Sequence, residues 1–341
     1  MRIILLFILL LSSCVMASNA QSSSGDLKQI FEKANDYYTG SNGVFLNKEK
    51  AFELYKEAAE GGYVPAMMRL ASFYNNGEVV DADESLYFKW ILAAAESGNA
   101  DAQNRAGVCY HDGKGIVRDS EKAVYWYKLA AGQGNVYAMN NLKLYYKSIG
   151  DKKESLKWMR AAAEHGHSEC QYELGNAYQN GNGFKEDIEQ AIYWFKLAAE
   201  QNHAEAYNQL GVIYSNDLRD YAKSHDCIKK AAELGSKTAL YNMGYDYEFG
   251  LGTEIDYKLA EQYYLQAISK PESSLINNAR YRLGMIYYEG KGSIKKDKKK
   301  GRQLLQDAAV NGYKDAKDYL EKNKETWTIT VNGEKVYEKV N

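Results

Sequence analysis

The sequence predicts an all-α chain: about eight copies of one antiparallel helix pair, then a capping helix and a short β-hairpin. Three observations carry this. An Ala-Ala box recurs along the chain. A second box, Ala-x3-Leu-Gly-x2-Tyr, alternates with it. Prolines number only 2 in 341 residues, whereas all-β folds and disordered chains use many.

The first box reads Ala58-Ala59-Glu60, Ala94-Ala95-Glu96, Ala130-Ala131, Ala162-Ala163-Glu164, Ala198-Ala199-Glu200 and Ala231-Ala232-Glu233, with weaker copies at Ala267-Ile268 and Ala308-Ala309. Successive spacings are 36, 36, 32, 36, 33, 36 and 41. A fixed period of this length is the mark of a solenoid. The second box is clearest at Ala206/Leu210-Gly211/Tyr214, Ala239/Met243-Gly244/Tyr247 and Ala279/Leu283-Gly284/Tyr287. Ala, Leu and Tyr fall four residues apart and form one stripe of a helix, here helix A. A mid-helix Gly costs about 1 kcal/mol relative to Ala, so its recurrence implies that helix B approaches closely there. Trp90, Trp126, Trp158 and Trp194 lie four residues before an Ala-Ala box and are expected to share its face on helix B. On this reading Trp126→Ala opens a cavity costing about 3–5 kcal/mol.

Between the helices lie Gly113-Lys114-Gly115 with Asp119, Gly181-Asn182-Gly183 with Asp187, Gly250-Leu251-Gly252 with Asp256, and Gly290-Lys291-Gly292 with Asp297. The glycines are expected to end helix A in a left-handed conformation, and each Asp to N-cap helix B. Lys143 replaces the glycine in the fourth copy, and Cys227 fills the Trp position in the sixth.

These boxes resemble the Sel-one-like repeat family, relatives of the tetratricopeptide repeats, over residues 27–324 including the cap. The resemblance implies a right-handed α-solenoid with helix A on the concave side. It also implies adaptor or scaffold work with a protein or peptide partner. One exported subgroup neutralises antibacterial toxins as immunity proteins, a second expectation.

The chain ends are different in kind. Met1-Arg2, the apolar run Ile3 to Leu11 and the small residues before Gln21 read as a signal peptide, 1–20. Leu11-Ser12-Ser13-Cys14 also resembles a bacterial lipobox, so that cleavage before Cys14 with lipidation of Cys14 competes with cleavage after Ala20. Residues 21–26 are expected to be a polar tether. The protein is expected to be exported: periplasmic, anchored at the outer membrane through Cys14, or secreted. At the other end, residues 325–341 read as a hairpin turning at Asn332-Gly333.

Composition excludes some functions. Lys+Arg 43 against Asp+Glu 45 lacks the basic surplus of a nucleic-acid-binding domain. No zinc, nucleophile-elbow or phosphate-loop motif occurs, so neither catalysis nor a cofactor or metal is expected. His165, His167 and Cys170 lack a fourth ligand at metal-site spacing. The basic run Lys291 to Arg302 reads as solvated surface or a contact for an anionic partner.

By analogy with tetratricopeptide arrays, the two residues before each helix-A Leu face the groove. The expected partner-binding residues are Arg69, Asn104, Arg105, Asn140, Asn141, Tyr172, Asn208, Gln209, Tyr241, Asn242, Tyr281 and Arg282. Amides can pair with a peptide backbone, Arg can fork onto carboxylates, and Tyr offers flat contact area. Asn208→Ala should then weaken binding and leave melting almost unchanged. An aromatic-rich groove also admits a glycan, the other alternative.

Overall fold

A computed structural model describes residues 25–270, 275–323, 327–331 and 334–338. The expected signal peptide, Cys14, most of the expected tether and the expected Asn332-Gly333 turn lie outside the described residues. Gly25 and Asp26, assigned above to the tether, already belong to the first helix. Among the described residues no helix is long and apolar enough to cross a membrane.

The described residues form 17 helices. The chain divides into two compact units, one ending at His165 and one starting at Gly166. In the first unit the A helices are α1 (25–39), α3 (Val64–Asn76), α5 (Ala100–Asp112) and α7 (Val136–Ser148). Their B partners are α2 (Lys48–Glu60), α4 (Glu84–Glu96), α6 (Ser120–Gly132) and α8 (Lys152–Glu164). The second unit pairs α9 (Ser168–Gln179) with α10 (Ile188–Glu200), α11 (Ala204–Asn216) with α12 (Tyr221–Glu233), α13 (Lys237–Phe249) with α14 (Tyr257–Ile268), and α15 (Ile276–Glu289) with α16 (Lys298–Val310). The short α17 (Lys314–Lys322) follows, burying Ala316 and Leu320 against α16. Strands β1 (Trp327–Val331) and β2 (Glu334–Glu338) pair antiparallel with Ile329 opposite Val336.

Local chemistry sets the boundaries. Asp119, Asp187, Asp256 and Asp297 each accept backbone N–H groups in the first turn of a B helix, and so do Asp83, Asp151 and Asp220. Gly113 and Gly250 close α5 and α13 at φ 78° and 69°. A second requirement was not legible in the sequence. A Cβ on Gly115 or Gly252 would collide with the backbone carbonyl of Glu84 or Tyr221, at the start of the preceding B helix. The second glycine of the turn is therefore a contact between successive pairs.

The core corrects one expectation. The large side chain over each helix-A glycine is the residue after the Trp position. Built Cβ atoms at Gly107, Gly175, Gly211 and Gly244 would lie 2.5–2.7 Å from Tyr127, Phe195, Ile228 and Tyr264. Those four are 0–3% exposed. They lie three residues before the alanines, directly under them on the helix face. Of the tryptophans, one step round, Trp90, Trp126 and Trp158 stay partly exposed, whereas Trp194 is buried. At the fourth pair Lys143 is buried in the glycine position, and Ser155 donates to its carbonyl at 3.1 Å.

Candidate functional site

The residues two and three positions after each helix-A alanine fall into two classes. One class is spent on the fold. Asn141 donates to Asn104 at 2.9 Å, and Asn242 donates to Asn208 at 2.8 Å. Both bonds join neighbouring A helices, so the asparagines form rungs between pairs. Asn208 is only 6% exposed. A side chain so placed has little amide left for a partner, and its loss should be felt in folding, contrary to the expectation above. Asn140 and Gln209 are half-buried beside these rungs. Tyr172 stacks on His203, ring centroids 4.7 Å apart.

Arg282 is also engaged. Its guanidinium lies 4.9 Å from the Phe249 ring and 5.1 Å from that of Tyr245, with Tyr281 at 5.9 Å. Beneath it Glu248, 2% exposed, accepts the Tyr264 hydroxyl at 2.8 Å and lies 3.9 Å from Arg282 and 3.7 Å from Lys291. Tyr241 packs 5.8 Å from Tyr264 in the same cluster, and Tyr281 packs 5.4 Å from Tyr313. Burial pushes the Tyr241, Tyr264 and Tyr281 hydroxyls up, so these phenols stay protonated.

The second class is open. Arg69 and Arg105 occupy the same register on α3 and α5, and both are exposed. Arg69 lies 5.9 Å from the Tyr38 ring, and Arg105 lines the same cleft as the buried Tyr87. Among the described residues neither is ion-paired. Both line a cleft of 350 Å³ whose apolar wall includes Pro65, Met68, Tyr87 and Ile91. The one acid in the cleft, Asp101, accepts a hydrogen bond from Asn135 at 2.8 Å.

Among the described residues Cys109, Cys170 and Cys227 form no disulfide, and the first two are buried. Burial pushes Cys109 and Cys227 up to about 11, so they are thiols and not thiolates at neutral pH. His167 and His203 serve as N-caps, their Nδ1 atoms accepting from the backbone of Cys170 and Ala206. That capping role accounts for the three-residue spacing of His167 and Cys170. The sequence reading missed two buried glutamines, Gln103 and Gln171, which accept from Gln133 and Gln201 at the end of the partner B helix; their only signal is a repeated Gln just after the helix-A small residue.

The Sel1 repeat profile matches residues 34–63, 64–99, 100–135, 144–167, 168–203, 204–236, 237–271 and 277–313. Among curated proteins none matches the chain. Among solved structures, a protective antigen of uropathogenic Escherichia coli with an SLR fold is 28% identical at a TM-score of 0.70, over 86% of this chain. The present chain spans 64% of that antigen's length. A Sel1 repeat protein from Oxalobacter formigenes is also 28% identical, with a TM-score of 0.61 and 93% of each chain covered. An immunity protein from Pseudomonas aeruginosa aligns at 19% identity and a TM-score of 0.37, over 60% of this chain and 81% of its own, too loosely to bear on function. With eight matched repeats, helix pairs in the same phase and two solved relatives of the same architecture, the chain belongs to the Sel1 repeat family, whose solenoid fold is typical of protein–protein interaction.

Proposed function

We propose that this is an exported, non-catalytic binding protein that holds another protein on the A-helix face of its first unit. The observation that carries this reading is the pair of exposed, unpaired guanidiniums of Arg69 and Arg105 over one partly apolar cleft. Two such groups one repeat apart suit the carboxylates of an extended segment, and the Met68, Ile91 and Pro65 wall suits an aliphatic side chain between them. The asparagine rungs have a different task, which is to keep neighbouring A helices in register.

Export rests on the leader, which ends at Ala20 in a freely diffusing form or before Cys14 in a form anchored by lipid at Cys14. Radioactive palmitate incorporated by the native chain and lost in Cys14→Ser distinguishes that form from a freely diffusing one.

The test of function is a paired capture experiment. Native chain and an Arg69→Ala/Arg105→Ala variant are incubated with envelope extract, and retained proteins are identified by mass spectrometry. A protein retained by the native chain and lost from a variant of unchanged melting temperature supports the reading. Identical capture by both, or retention of a glycan and no protein, overturns it. If the partner proves to be an antibacterial toxin, the role becomes that of an immunity protein.

A further inference from the structure

The last helix pair carries a feature that protein docking in the first unit does not use. A cavity of 560 Å³ lies between the α15–α16 turn and the start of α16, lined by Lys295, Lys296, Lys298 and Lys300 together with Tyr287 and Ile294. The end of the helix is not the feature, because Asp297 already caps it by accepting the Lys300 backbone N–H at 2.9 Å. What is unusual is the charge. Among the described residues none of the four lysines has a carboxylate at ion-pair distance. The two acids in the cavity are engaged: Asp297 in the cap, and Glu261 as acceptor of the Tyr287 hydroxyl.

The chain makes this cluster deliberately. The cap Asp follows the first turn glycine by six residues at Gly113/Asp119, Gly181/Asp187 and Gly250/Asp256, but by seven at Gly290/Asp297. Lys295 and Lys296 fill the two positions before that Asp, where the other turns carry Val117-Arg118, Lys185-Glu186 and Glu254-Ile255. The turn's geometry is set, since Ile294 packs on the α14–α15 core and the Asp297 N–H bonds to the Tyr287 carbonyl at 2.8 Å. Lys300 is oriented by the Tyr287 ring, its ammonium 3.8 Å from the centroid and 2.5 Å from the hydroxyl. The first turns of α4, α6 and α10 carry Glu84, Glu121 and Glu189, which the helix dipole favours, whereas α16 opens with three lysines, which it opposes. Departures of this kind from local stability are expected where a site is being kept.

We propose that this basin binds phosphate: a ligand, or a surface, presenting two or more phosphoryl groups. Lysine ammoniums are compact point charges suited to phosphate oxygens, and several converge on one volume. The phosphoryl groups can come from a free oligophosphate or from adjacent lipid headgroups. Binding at this site is independent of the arginine cleft.

The test uses the full chain and two probes. Tripolyphosphate is titrated calorimetrically, and vesicles of phosphatidylglycerol are compared with phosphatidylcholine by co-sedimentation. Saturable binding to at least one phosphate probe, weakening with salt and falling about 10-fold or more in Lys295→Gln/Lys296→Gln, is the expected result. Tripolyphosphate alone identifies a free anion as the source; phosphatidylglycerol alone identifies a headgroup. Lys295→Arg/Lys296→Arg keeps the charge and should retain most of the affinity, which guards against a folding artefact. The control Lys152→Gln/Lys153→Gln, in the first unit, should bind as the parent does. The proposal fails if neither probe binds, if the control weakens binding equally, or if poly-glutamate binds as well as tripolyphosphate.

Discussion

Gln133 donates its side-chain amide to the buried Oε1 of Gln103 at 2.7 Å, and the same bond recurs two helix pairs later between Gln201 and Gln171 at 2.8 Å. In both places the donor also reaches a backbone carbonyl of the preceding inter-helix turn, Gly98 or Gly166, at 3.1 Å. Gln103 in turn donates to the Ala95 carbonyl at 3.2 Å and is 5% exposed. Successive pairs are thus joined by a polar pin as well as by apolar packing. Gln103→Ala removes the pin and leaves the Ala95 carbonyl without this donor. A loss of about 1–3 kcal/mol is expected, read from urea unfolding at constant slope.

The packing over the helix-A glycines makes a paired prediction. Tyr127, 3% exposed and seated on Gly107, should cost about 3–5 kcal/mol when cut to Ala. Trp126→Ala, at the exposed margin, should cost clearly less despite the larger ring. From the other side, a Cβ on Gly211 would come 2.5 Å from Ile228, so Gly211→Val should destabilise by about 1–3 kcal/mol through overpacking. Equal losses for Tyr127→Ala and Trp126→Ala would reverse the assignment of core and margin.

Rung and cleft residues should separate in one experiment. Asn208→Ala deletes a buried amide and strips Asn242 of its acceptor, so a loss of about 1 kcal/mol in stability is expected. Arg69 and Arg105 are exposed, so Arg69→Ala and Arg105→Ala should stay closer to the parent than Asn208→Ala does, within about 0.5 kcal/mol. Thermal melts of the three variants check this directly. A stable Asn208→Ala beside an unfolded Arg105→Ala would invert the division between the two classes.

The His225–Asp246 pair joins α12 to α13 at 2.9 Å, with both residues buried. Burial raises the Asp246 carboxyl above its ordinary value, and the His225 bond offsets this only in part. A carboxyl raised in the folded state contributes stability that is fully present below its unfolded pKa and lost as the pH rises through the folded one. For this group alone, stability therefore declines as the pH climbs from about 4. Asp246→Asn keeps an acceptor for His225 and removes the titration. The variant should be at least as stable as the parent at neutral pH, with a flatter urea midpoint across mildly acid pH. A neutral-pH loss above about 1 kcal/mol would mean instead that the charged pair itself stabilises the joint.

Much of the architecture was legible because it is local. Helix stripes, Gly turns and Asp caps act within a few residues, so Ala206/Leu210/Tyr214 and Asp187 could be placed from spacing alone. The repeat then multiplied each inference. The partner-facing set was less legible. Position after the helix-A alanine gave only the register, and it could not distinguish Asn208, used up in a rung, from Arg105, left open over a cleft.

From the order of its residues alone, the protein's helix pairs, their period and their family could be read, since each follows from short-range sterics and hydrogen bonding. Which side chain sits over each glycine, which amides bond across repeats and where lysines gather without a counter-charge needed the folded chain. The glycine contacts join residues 17–20 positions apart and the amide bonds residues 30–37 apart, and only packing sets such distances.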